Sequence, residues 1–379
     1  MREYGEKLIE FLKNNRDDIF RTHRELCLIP APSHFEDERA VYCKALLESF
    51  GASGVYTDGA KNVVFPMNCE GSDRITVVNA HTDTVFPADT PLVYDDDGET
   101  VRCPGAGDDT ASLTAMLYTA KFLIREDFRP DGGLLFVCNS CEEGLGNLLG
   151  IRRIHEDYAG RIARQISVDA CIGEVYDRCV GSHRYEVTVT TAGGHSFGSF
   201  GKKNAIAEAA GIITRIYGLE VPVKEGTKTT YNVGTITGGT SVNTIAQKAS
   251  FLCEYRSDDA GCMEIMKKAF EEIFEEARTD KVGVAVSPVG ERPCADGADS
   301  EEIGRLADLY SRISQEITGA AAVREPASTD CNIPLSLGIP AVCVGATKSG
   351  GAHTTREWLK KESLIDGTRL LVRFLSELL

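Results

Sequence analysis

One periodicity constrains this chain more than any other feature: buried strand-like runs alternate with helical ones, and the alternation breaks once. "EYGEKLIEFLKNNRDDIFRTHRELCLI" repeats its apolar residues with helical spacing, and Ser33 and Glu36 stand as a capping box before a second helix. "NVVFPM" and "RITVVNAHTDTV" are Val- and Ile-rich strands, "DTASLTAMLYTAKFLI" a helix, "GGLLFVCNS" a strand, "NLLGIRRIHEDY" a helix and "RQISVDA" a strand. Such alternation predicts an α/β fold, a mostly parallel sheet covered by helices on both faces.

From residue 182 the order changes to β-α-β-β-α-β. Its elements are "RYEVTVTTA", "NAIAEAAGIITRIY", "TTYNVGTITGG", "QKASFLCEYRSD", "AGCMEIMKKAFEEIFEEA" and "VGVAVSPV". Beyond residue 290 the first pattern resumes with "EEIGRLADLYSRISQEITG", "IPAVCVG" and "ESLIDGTRLLVRFLSELL". The expectation is one α/β domain, 1–181 plus 290–379, interrupted by an α+β ferredoxin-like domain at 182–289.

Composition narrows the function. The 379 residues carry a net charge of −16, which argues against nucleic acid and anionic membrane as partners, since both need clustered Lys and Arg. No apolar run approaches the ~20 residues of a membrane span. "MREYGEKLIEFLKNNRDD" is charged and amphipathic, unlike a signal peptide. Thirteen cysteines, scattered singly, fit a reducing cytoplasm better than a disulfide framework. Cys138 and Cys141 form a lone CxxC, expected to be two strand-end residues.

Sites in α/β sheets gather at the carboxyl ends of strands, and five strand ends here carry suitable groups. They are His81 and Asp83 in "VVNAHTD", Asp108 and Asp109 in "CPGAGDD", Glu142 and Glu143 in "CNSCEE", Asp169 in "ISVDA", and His353 in "VGATKSGGAH". Singly, a strand-end histidine is more often structural, and a paired glutamate more often a solvated face. Five together make a much stronger case. Glu142 beside Glu143 also calls for a nearby positive charge. Imidazoles and carboxylates suit zinc, manganese or cobalt, and several carboxylates with two histidines can hold two ions about 3.5–4 Å apart.

The motifs "NAHTDTVFP", "CPGAGDD", "CEEGLG", "SVDA", "TAGGHSFGSFGKKNA", "GGTSVNTIAQKASF" and "GGAHTTREW" occur in the order seen in a metallohydrolase family. The chain resembles this family of peptidase T, carboxypeptidase G, acetylornithine deacetylase and succinyl-diaminopimelate desuccinylase over nearly its whole length. "DDTASL" and "CEEGLG" depart from the commoner family wording without removing a ligand.

That resemblance implies roles. His81 and Asp169 would bind a first metal, Glu143 and His353 a second, and Asp108 both. Glu142 would be the general base for a metal-activated water, with Asp83 behind His81. The Asp108–Asp109 peptide bond would be cis. The inserted domain would act as lid and dimerisation domain, making a homodimer in which His195 assists the oxyanion of the partner's site. Asn243 and Arg256 would contact substrate, Arg256 through a carboxylate. The activity implied is metal-dependent hydrolysis of short peptides. N-acyl-amino-acid deacylation is the alternative, and a non-catalytic binding module the remote one. "HTDTV" and "CEEGLGN" favour the peptidase T branch. His23, His34, His155 and His183 lack ligand-like partners and are expected to be structural.

Overall fold

The computed structural model describes residues 2–295 and 297–379. It divides into two compact units, 1–179 with 297–379 and 180–296.

The first unit is built on an eight-stranded mixed sheet. Its centre is four mutually parallel strands, in spatial order Gly133–Asn139, Ile75–His81, Ile162–Cys171 and Ala341–Thr347. Tyr56–Thr57 and Val63–Met67 add antiparallel at one edge. At the other, Glu174–Cys179 is antiparallel to Ala341–Thr347 and parallel to Val323–Ala327. Both faces of the central strands are covered, so the runs are buried throughout. Alternate residues go to opposite cores. Val78, Ala80, Leu134 and Phe136 pack with helices Arg2–Cys27, Thr110–Arg125, Ser300–Thr318 and Ser363–Leu378. Val77, Ile75, Leu135 and Val137 pack with Ile151 and Ile154 of helix Leu149–Asp157. All four central strands run the same way, so their carboxyl ends, and the groups just beyond them, share one edge.

The second unit is a four-stranded antiparallel sheet, in order Thr229–Gly238, Lys248–Ser257, Gly181–Thr190 and Gly283–Arg292. Helices Ala205–Ile216 and Ala260–Glu276 cover one face, burying Val187, Val189, Phe251 and Tyr255. Asn204 and Asp259 cap these helices by accepting from the Ile206 and Cys262 amides, at 3.0 and 2.9 Å. The unit ends later than the expected residue 289, because its last strand continues through the polar residues Gly290–Arg292.

The expected capping box does not form. Helix Asp37–Ser49 begins without a side-chain cap. The Ser33 hydroxyl donates instead to Asp83 Oδ2 at 2.7 Å and to the Glu143 carbonyl at 3.0 Å. Glu36 Oε1 accepts from the Cys141 amide at 3.0 Å and the His34 amide at 2.9 Å. Both side chains find charge-assisted or buried partners across the fold, which outweigh a local cap. Among the described residues no helix is long and apolar enough to cross a membrane.

Candidate metal centre

His81 is the last residue of strand Ile75–His81, and its imidazole is buried. Its Nε2 faces Asp108 Oδ1 at 3.1 Å and Asp169 Oδ1 at 3.9 Å. On the opposite side of Asp108, His353 Nε2 lies 3.1 Å from Oδ2 and 3.1 Å from Glu143 Oε1. One carboxylate thus stands between two imidazoles. Two groups of potential ligand atoms lie within 4.8 Å of one another: His81, Glu142 and Asp169, and His81, Asp108 and Glu143.

The donor chemistry fits divalent cations. Glu142, Glu143 and His81 are buried and Asp108 and Asp169 partly so, while the His353 imidazole is exposed, and carboxylates this close need a positive charge among them. Burial opposes the charge on His81, but Asp108 and Asp83 outweigh it and hold its pKa well above the ordinary range. Asp108 and Glu143 push His353 up to about 10. Burial works against the Asp108 carboxylate, yet His353 and His81 hold it well below the usual range. Asp169 is pushed well up, first by burial and then by Asp109 and Asp108. Carboxylates gathered this closely are favoured by divalent cations among them.

The loops holding these groups interlock. Asp83 Oδ1 accepts from the Glu142 amide at 3.0 Å, and Oδ2 from the Glu143 amide at 2.9 Å. His81 Nδ1 is 3.0 Å from the Asp83 carbonyl oxygen and 3.4 Å from Asp83 Oδ1. Asp83 therefore stands behind His81 and also sets the backbone of both glutamates. Buried Arg39 donates to the Thr82 carbonyl at 3.0 Å and to Thr110 Oγ1 at 3.1 Å, joining the loop after His81 to the helix after Asp109. Asp109 accepts from the His81 amide at 3.0 Å. The Asp108–Asp109 peptide bond is cis, as the resemblance implies.

Beside these groups lies a pocket of about 150 Å³, lined by Asp108, Asp169, Cys171, Glu174 and Tyr176 among others. The Tyr176 hydroxyl donates to Glu174 Oε2 at 2.9 Å. Neither residue stands in a motif visible in the sequence. Arg39 and Glu357 were not singled out by sequence either, because each acts largely on main-chain atoms, which have no side-chain signature.

In the second unit, His195 and Asn243 come together through the short pairing of His195 with Thr244. His195 is exposed, and its Nδ1 accepts from the Phe197 and Gly198 amides, both at 3.3 Å. These partners assign the proton to Nε2. Asn243 Oδ1 accepts from Ser241 Oγ at 2.7 Å. Arg256 makes a two-pronged pair with Glu254 on its own strand, at 2.9 and 3.0 Å.

The remaining histidines have structural partners. His23 Nε2 donates to the Ala106 carbonyl at 2.8 Å, with its pKa lowered to about 4 by burial. His155 lies 2.7 Å from Gln165 and His183 2.7 Å from the Tyr255 hydroxyl. His34 lies 3.3 Å from Cys141 Sγ. All thirteen cysteines are free, Cys138 inside its strand and Cys141 just beyond it.

The sequence model of peptidase family M20/M25/M40 matches residues 77–377. A succinyl-diaminopimelate desuccinylase of Corynebacterium glutamicum is 25% identical over 373 residues, covering 95% of this chain and 96% of its own. A tripeptidase structure from Staphylococcus aureus superposes with a TM-score of 0.74 at 24% identity, over 96% of this chain and 98% of its own. The aminopeptidase PepT of Bacillus cereus gives 0.73 at 21% identity, over 96% and 98%.

Proposed function

The chain belongs to peptidase family M20/M25/M40 and is a metal-dependent hydrolase of peptide bonds, and from that premise we propose a two-metal exopeptidase acting on short peptides. The observation that carries the proposal is the Asp108 carboxylate set between His81 and His353, with Glu142, Glu143 and Asp169 around it.

His81 and Asp169 would hold one divalent ion, Glu143 and His353 the other, and Asp108 both. Zinc suits this donor set first, then manganese or cobalt. Such ions supply Lewis acidity toward the scissile carbonyl and bring the pKa of water close to neutral. Glu142 accepts the proton of the attacking water and returns it to the leaving amine. Asp83 and Ser33 keep Glu142 in place by holding its backbone and that of Glu143. His195, with its proton on Nε2, donates to the oxyanion, and Asn243 assists beside it. Arg256 exchanges Glu254 for a substrate carboxylate.

The inserted unit serves as lid and dimerisation domain, so that His195 serves the partner's site in a homodimer. The free thiols fit work in the cytoplasm.

A second reading, N-acyl-amino-acid deacylation, is favoured by the near full-length likeness to a desuccinylase. A panel of di- and tripeptides, N-acetyl- and N-succinyl-amino acids, assayed with zinc, manganese and cobalt after chelation, separates the two. The expected result is the highest kcat/KM on peptides with a free amino end. Hydrolysis confined to N-acyl-amino acids would establish the second reading instead, and turnover of neither class would sink both.

A further inference from the structure

Four residues beyond His353 the chain returns to the same loop with a second group. Glu357 is buried, 1% exposed, immediately before the short strand Trp358–Lys360. Its Oε1 accepts from the Gly107 amide at 2.6 Å and the Asp108 amide at 2.7 Å, and its Oε2 from the Gly105 amide at 2.9 Å. Three main-chain donors of one loop thus converge on one carboxylate.

Pairing of Trp358 with Arg102 brings the two segments together, and the Cys103 amide donates to the Glu357 carbonyl at 3.3 Å. Gly107 has no room for a side chain: a Cβ there would lie 2.5 Å from Ser349 Cβ and 3.1 Å from Glu357 Oε1. The loop is pressed against the carboxylate.

We propose that Glu357 is a positioning residue for the metal centre, fixing the Gly105–Asp108 backbone so that the two Asp108 oxygens face His81 and His353. This rests on the two-metal reading of the site. The segment 353–357 then fixes Asp108 from both sides, with His353 at its side chain and Glu357 at its amide. A buried carboxylate binds three N–H groups strongly because each bond is charge-assisted. Removing it leaves those donors buried and unpaired, and the loop is then free to turn Asp108 away from one imidazole. Glutamine keeps the shape, yet its NH₂ group must meet at least one of the three amides.

The test is calorimetric titration of Zn²⁺ into chelator-stripped wild type, Glu357→Gln and Glu357→Ala, well below the melting temperature of each. Wild type is expected to take up two ions per chain. Zinc affinity is expected to fall about 10-fold in Glu357→Gln and about 100-fold in Glu357→Ala, the range for residues that orient metal ligands. A residue serving only the fold would lower Tm and leave the affinity of the folded protein unchanged. Folded variants that bind zinc as wild type does, whatever their Tm, would overturn the inference. If Glu357→Ala does not fold, Glu357→Gln alone decides in the same way. Wild type that takes up no zinc would overturn the two-metal reading and this inference with it.

Discussion

Glu142→Ala is expected to retain the metal content of the wild type and to lose about 10²-fold or more in kcat, the scale of a lost general base. Glu143→Ala is expected to lose one of the two ions. The neighbours are separable because their side chains meet different groups. Glu143 meets His353 at 3.1 Å, while Glu142 belongs to the group around His81 and Asp169. Both amides are held by one carboxylate, that of Asp83, so removing either side chain leaves the loop anchored. Metal analysis and steady-state kinetics on the two variants decide the matter. Equal loss of metal in both would make Glu142 a ligand and require another base.

Asp108→Ala is expected to have the larger effect, with at most one weakly held ion and a fall in kcat of roughly 10³-fold or more. That is several kcal/mol of lost charge stabilisation at about 1.4 kcal/mol per tenfold. The reason is its position: Oδ1 and Oδ2 each stand 3.1 Å from a different imidazole, so one substitution removes a donor from both ions. The same metal analysis and assay check it. Two tightly bound ions in Asp108→Ala would show that the carboxylate is not shared.

Much of this centre was legible in the sequence for a topological reason. Parallel strands bury continuous apolar runs and end on one edge. A polar residue just past "ITVVNA", "LLFVCN" or "ISV" is therefore already near the others, before any distance is known. The edge strands were not legible. Glu174–Cys179 and Val323–Ala327 mix charged, polar and proline residues, with no clean alternation, and their pairing partners decide their state. The spacing of Ser33 and Glu36 suits a local cap equally well, while Ser33 bonds to Asp83 and the Glu143 carbonyl and Glu36 to the Cys141 amide, all far along the chain. Glu357 sat inside a motif already noticed for its histidine. Three bonds to main-chain amides leave no mark in the residue types of the loop that receives them.

Hydrolysis that depends on two divalent ions held by His81, Asp108, Glu143, Asp169 and His353 is checked most directly by metal analysis of the purified protein alongside peptide hydrolysis before and after chelation. The expected result is up to two divalent ions per chain, activity abolished with their removal, and activity restored by zinc, manganese or cobalt. Metal-free protein with full peptidase activity would contradict it.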